Sequence, residues 1–166
     1  WDPNQQVCGF FSLPEEARPW DMPDDLVNFL NSGPPPIYIT FGSMLSAGKD
    51  RMYLTATTGL FIEAARTARC RAIIQSRWDE VSGFPEGEEI FRIGEAVHKK
   101  IFPHCAAVVH HGGAGTTQTA TLCGCPSVVV AHITDQFFWG RELRRLGIAP
   151  TLLDRRKVTP EGIGRE

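Results

Sequence analysis

The 166-residue sequence contains no apolar run approaching the roughly 18 to 20 residues that a membrane-spanning helix needs, so no transmembrane segment is expected. It also has no run of lysines or arginines that reads as a tail or a membrane-surface patch. With a formal charge of -2 and a pI near 6.2, it has no electrostatic footprint for nucleic acid and no basic patch for a lipid surface. The opening Trp1-Asp2-Pro3-Asn4 lacks an initiator methionine and the basic-then-apolar order of a secretory signal. Five cysteines, odd in number and without framework spacing, predict reduced thiols and a cytoplasmic setting. Cys70, Cys105, Cys123 and Cys125 lie in or beside apolar runs and are expected to act as small buried hydrophobes. There is no Gly-Lys-Ser/Thr of a Walker loop, no G-x-G-x-x-G, no nucleophile elbow, and no Ser-His-Asp order.

What is present is ordinary globular composition, 42% apolar and 22% charged, in a chain long enough to close one core. Residues 1–23 are rich in Pro, Trp and acidic side chains and show no period, which predicts an extended linker into a domain spanning residues 24–166. Asp24 and Asp25 precede Leu26, Val27, Phe29 and Leu30, the pattern of a short helix with acids at its positive end, stopped by Gly33 and three prolines. The chain stops at Gly162-Ile163-Gly164-Arg165-Glu166, where a new helix is expected to begin, so an excised domain of a longer protein is expected.

Between these ends the pattern alternates. Strands are expected at residues 37–41, 72–75, 90–93, 106–110, 127–131 and 148–152; helices are expected at about 50–68, 114–123 and 136–146. Strands separated by helices predict right-handed βαβ units. The fold class is therefore α/β, a Rossmann-like, doubly wound parallel sheet of about six strands, with its ligand outside the carboxyl ends of the strands. No internal repeat or low-complexity segment is evident.

Three segments fall at strand ends and so share one rim. In the first, Gly42 and Ser43 follow the first strand; a glycine admits a close backbone approach and the Ser hydroxyl can donate to an oxyanion, although such a pair can also be a plain turn. The second, His110-His111-Gly112-Gly113-Ala114-Gly115-Thr116-Thr117, runs directly into a helix. Its small residues bare successive N–H groups at the positive helix end, Thr116 and Thr117 add hydroxyls, and His111 can donate through a ring nitrogen. A diphosphate suits that set; a tight turn with glycine packing and a capping Thr is the alternative. In the third, Asp135 and Gln136 stand at a helix start, either as a cap or as a matched pair for sugar hydroxyls.

His104, Cys105, His110, His111, Cys123, Cys125 and His132 lie close in sequence but in no zinc spacing, and adjacent His-His would leave one ring on the wrong side of a strand; no metal site is expected. Trp78 could stack on a base or sugar, or pack under a loop, and Glu86, Glu88 and Glu89 are expected to form a solvated edge.

From Pro35 to Pro150 the residues resemble the C-terminal, nucleotide-sugar-binding domain of the GT-B glycosyltransferases of family 1, within the UDP-glycosyltransferase superfamily. The pattern is that of sterol 3-beta-glucosyltransferases and bacterial antibiotic glycosyltransferases in particular. The landmarks are Ile39-Thr40-Phe41-Gly42-Ser43-Met44, His98 with Phe102-Pro103, His110 to Thr117, Gly124-x-Pro126, and Asp135-Gln136-x-x-Trp139-Gly140. The resemblance implies the C-terminal half of a GT-B fold. It implies that Gly42 and Ser43 help hold phosphates, that Ala96 and His98 cradle the base largely through backbone groups, and that His111, Ala114, Gly115, Thr116 and Thr117 grip the diphosphate. Asp135 and Gln136 would read the sugar. Thr119 stands where plant secondary-metabolite enzymes have a ribose-binding Glu, and Val97, Lys99 and Lys100 flank His98 where the sterol pattern has Pro, Asp and Trp. These departures leave base and acceptor open.

The activity so implied is transfer of a hexose, glucose first, from a UDP- or TDP-sugar to a hydroxyl of a lipophilic acceptor with inversion. UDP-glucose is the leading donor, no cofactor or metal is required, and the general base lies on an N-terminal domain. Expected partners are the nucleotide sugar and, through that other domain, the acceptor; no nucleic acid is expected, and peripheral membrane contact of a longer protein stays open. A nucleotide-sugar epimerase and a non-catalytic binding module are the competing classes.

Overall fold

Six parallel strands run β1 (Ile37–Thr40), β2 (Ala72–Gln75), β3 (Ile90–Ile93), β4 (Ala107–His110), β5 (Ser127–Ala131) and β6 (Leu153–Asp154), in the spatial order β3-β2-β1-β4-β5-β6. The computed structural model describes residues 2–6, 9–11, 19–42, 51–76 and 89–166. Ser43, Met44, Trp78, Glu86 and Glu88 lie outside the described residues. The strands are short, β-branched and mostly buried, as a sheet covered on both faces requires; every residue of β5 is buried.

The helices are α1 (Asp24–Asn31), α2 (Arg51–Ala68), α3 (His98–Ile101), α4 (Ala114–Leu122), α5 (Thr134–Arg145) and α6 (Pro160–Ile163), with a 3-10 turn at Phe102–His104. Strand alternation divides the core into two layers. Ile39, Ile74, Val109 and Val130 face α2 and α6, whose Leu54, Phe61, Ile62, Ala65 and Ile163 cover them. Tyr38, Ile73 and Val108 face Leu26 of α1, Ile101 and Phe102, and Ala120 of α4. Trp20 and Met22 also pack on this second layer, and Lys100 Nζ donates to the Trp20 carbonyl at 2.6 Å. α1 carries Asp24 and Asp25 in its first turn, and Arg71 holds its other end by donating to the Phe29 and Pro34 carbonyls and the Ser32 hydroxyl.

The sheet, its parallel sense and its six strands are as the sequence predicts. Four details differ. The sixth strand is not at residues 148–152 but at Leu153–Asp154, paired with Val130 and Ala131. α5 begins at Thr134, two residues before the predicted start, so Gln136 is inside its first turn. α3 and the 3-10 turn occupy a stretch in which no element was expected. At the end of the chain α6 is one turn capped by Thr159, whose Oγ1 accepts from Gly162 N, and it closes at Gly164 where a helix start was expected.

Candidate functional site

The chain winds outward from β1 through β2 to β3, then returns past β1 to β4, so its winding direction reverses between β1 and β4. The helices that follow these two strands cover opposite faces, opening a crevice at the carboxyl ends of β1 and β4. Gly42 lies at the end of β1 and His111 at the end of β4, and they meet there. A methyl group on Gly42 would sit 3.1 Å from His111 Cε1 and 3.7 Å from Thr116 Oγ1, and Gly42 itself has a left-handed φ of +53°.

The turn from β4 into α4 is shaped by three close contacts. Gly112 (φ +86°) presses on the Gln136 backbone and on Val129, and its N–H donates to His110 Nδ1 at 3.1 Å. Gly113, the N-cap of α4, lies beneath the His111 ring. The first bond of the helix runs from Thr117 N to the Gly113 carbonyl, so the N–H groups of Ala114, Gly115 and Thr116 find no acceptor within the helix. Among the described residues no side chain caps this end, and no acid stands in its first turn. Ala114 and Gly115 are exposed, and a methyl on Gly115 would meet nothing within 4 Å. His111 Nδ1 and Thr117 Oγ1 are buried with no hydrogen-bond partner among the described residues. An open positive helix end beside two unmatched polar atoms has the donors that binding an anion requires.

Electrostatics keep both histidines neutral. Burial, reinforced by its histidine neighbours, pushes the His110 pKa down to about 3. Burial also lowers that of His111, opposed by the Asp135 carboxylate and by the Thr40 carbonyl. The charge of Asp135 thus reaches His111 from the exposed first turn of α5. Gln136, by contrast, is buried: its Oε1 accepts from His132 N at 2.8 Å and Ile133 N at 3.2 Å. The carbonyl end of that amide secures the loop into α5. His132 closes this side of the rim, its Nδ1 3.0 Å from the Tyr53 hydroxyl and its ring 5.4 Å from Phe41.

Ala96 and His98 sit on the far side of β1, after β3. Ala96 is buried in the second core layer, and the His98 ring stacks on Phe102 at 4.8 Å and meets Tyr38 in a T-shaped contact at 5.4 Å. The structure therefore gathers Gly42, His111, Ala114, Gly115, Thr116, Thr117 and Asp135 around one crevice, with Gln136 behind it and Ala96 and His98 to one side. Thr40, Gln75 and Tyr53 were not singled out in the sequence; Thr40 and Gln75 are polar residues closing otherwise apolar strands, a readable signal, whereas Tyr53 lies within α2 and carries none. Cys125 is buried and Cys70, Cys105 and Cys123 are half-buried, all as free thiols. Among the described residues no three His, Cys, Asp or Glu side chains come together to hold a metal ion, and no helix is long and apolar enough to cross a membrane.

Residues 75–165 match the family described as erythromycin biosynthesis protein CIII-like, C-terminal domain. Over 152 residues the chain is 35% identical to sterol 3-beta-glucosyltransferase UGT80A2 of Arabidopsis thaliana, covering 91% of this chain and 23% of that protein. It is 36% identical over 140 residues to the vancomycin aglycone glucosyltransferase of Amycolatopsis orientalis, covering 84% and 32%. It thus spans less than a third of either relative's length. Two solved structures share the fold: Arabidopsis thaliana UGT89C1 complexed with UDP (TM-score 0.67, 18% identity, 85% of this chain and 36% of that one) and glycosyltransferase VinC in complex with DTDP (TM-score 0.66, 23% identity, 89% and 35%). The chain belongs to the CIII-like C-terminal domain family of the GT-B, family 1 glycosyltransferases.

Proposed function

We propose that this domain, residues 24–166 with residues 1–23 as a linker into it, is the donor-binding half of an inverting glycosyltransferase. It takes a UDP- or TDP-hexose, UDP-glucose first, and transfers the hexose to a hydroxyl of a lipophilic acceptor such as a sterol or natural product. The observation that carries this reading is the meeting of Gly42, His111 and Thr116 at the uncapped start of α4. Preorganised N–H and hydroxyl donors at a helix N-terminus stabilise the negative charge that builds on a departing diphosphate. A neutral His111 adds a further donor. Asp135 accepts from sugar hydroxyls, and Gln136, whose carbonyl secures the loop into α5, stands beside it as the second sugar-reading residue. Ser43 completes the phosphate end, while the backbone around Ala96 and His98 lines the base.

The general base and the acceptor pocket belong to a separate N-terminal domain, so we expect the 166-residue chain to bind donor without turning it over. No metal is required, and free thiols fit a cytoplasmic setting. The UDP and DTDP in the two related structures support the choice of nucleotide. Calorimetric titration with UDP-, TDP- and GDP-sugars tests it. His111→Ala is expected to weaken the nucleotide itself, and Asp135→Ala to erase discrimination among sugars; parental affinity and selectivity in both variants would refute the assignment.

A further inference from the structure

The two ends of this crevice are joined by one chain of hydrogen bonds centred on Gln75, the last residue of β2. Its Oε1 accepts from Thr40 Oγ1 at 2.6 Å and lies 2.9 Å from His98 Nε2, while its Nε2 donates to the Gly94 carbonyl at 2.9 Å. Thr40 Oγ1 in turn accepts from Gly42 N at 3.1 Å. The directions are fixed by chemistry. Gly94 offers only a carbonyl there, so the amide must present nitrogen to it and oxygen to the other two. An amide oxygen only accepts; His98 therefore carries its proton on Nε2, and Thr40 donates to Gln75 while accepting from Gly42.

Each partner is held elsewhere as well. Thr40 is fully buried, and the His98 ring is stacked on Phe102. Gly94 and His98 bracket the loop that carries Ala96, and a methyl group on Gly42 would meet His111 and Thr116. One amide thus ties the ends of β1 and β2 to the segment leading from β3 into α3.

We propose that Gln75 is a positioning residue for the nucleotide, setting the base-side loop 94–98 and the phosphate-side turn at Gly42 in fixed relation. The proposal rests on the donor-site reading above. Because both arms share one acceptor, loss of either loosens both ends, and the nucleotide meets a site that is no longer preorganised.

The test uses the 166-residue chain, with UDP as probe by calorimetry and the His98 ring nitrogens observed by 15N NMR. The parent should show the Nε2–H tautomer. Gln75→Leu should lose that signature and bind UDP about tenfold more weakly. Gln75→Glu keeps both accepted bonds and should recover affinity to within about threefold of the parent, even if its melting temperature is lower. Thr40→Val should also weaken UDP, and the double variant should be no weaker than the worse single by more than about twofold, as members of one network behave. A folded Gln75→Leu that loses the tautomer yet binds UDP like the parent would overturn the proposal, as would additive losses in the double variant. A parent that shows the tautomer but does not bind UDP would instead sink the donor reading, and this proposal with it.

Discussion

The His111 imidazole lies across Gly113 so closely that a methyl group on Gly113 would come within 2.2 Å of Nε2 and 2.9 Å of Cε1. Gly113 has an ordinary φ of -65°, so its lack of a side chain serves that ring and not the backbone. Gly113→Ala must therefore push the ring away. We expect a cost of about 1 to 3 kcal/mol in stability, as for other overpacked sites. UDP affinity should fall as far as in His111→Ala; calorimetry on both variants compares them, and near-parental affinity in Gly113→Ala would separate the ring from the anion site.

Gly115 poses the opposite case. Around it a methyl meets nothing within 4 Å, and it is the second residue of α4. Gly115→Ala should raise stability by roughly 0.5 to 1 kcal/mol through helix propensity. The same methyl would occupy space a diphosphate needs, so UDP affinity should drop by about tenfold or more. A higher melting temperature with weaker binding is the expected pair of results; a gain in both would place the ligand elsewhere.

Gln136 is predicted to separate fold from recognition. Gln136→Leu strips the acceptor from the N–H groups of His132 and Ile133 and should cost about 1 to 3 kcal/mol in denaturant unfolding. Gln136→Glu retains an acceptor and should recover most of that loss while removing the Nε2 donor. If sugar selectivity also survives in Gln136→Glu, its role ends at holding the loop.

Acid should destabilise the fold before its carboxylates titrate. His110 has a folded pKa of about 3 against an ordinary 6.5, and burial lowers His111 in the same direction. Between those values the unfolded chain binds the extra proton, so stability rises with pH and is lost as pH falls from 6.5 toward 3, by up to roughly 1.4 kcal/mol per pH unit for His110, with His111 contributing in the same sense. Asp154, held down to about 2 by Arg156, titrates below most of this window. His110→Asn keeps an acceptor for Gly112 N and should flatten the melting temperature between pH 6.5 and 4.5; an unchanged slope would assign the effect to other groups.

Much of this was legible from the residues. Ala72–Gln75, Ile90–Ile93 and Ser127–Ala131 are apolar, β-branched runs bounded by turn residues, and they fold as strands with those limits. Residues 148–152 misled because an apolar stretch follows Gly147; there Ile148 closes α5 by donating to the Leu143 carbonyl, and Pro150 has no N–H for a ladder, so pairing waits until Leu153. α3 is too short to show a helical period. The crevice was readable because its parts sit at strand ends in a doubly wound sheet. Gln75 was not, because its importance lies in three partners distant in sequence. Nor was the burial of Gln136, although its bonds to the His132 and Ile133 N–H groups are of the capping kind that the sequence also allowed.

The central claim is that a nucleoside diphosphate sits on the start of α4, and backbone NMR of the 15N-labelled chain titrated with UDP addresses it residue by residue. The amides of Gly42 and of residues 113–117 should shift first and farthest, with Gly94 and His98 following in the same titration, and His111→Ala should abolish the response. Saturating UDP that leaves those amides unmoved, or shifts instead confined to the groove formed by Phe29, Arg71 and Phe91 at the amino ends of β2 and β3, would contradict it.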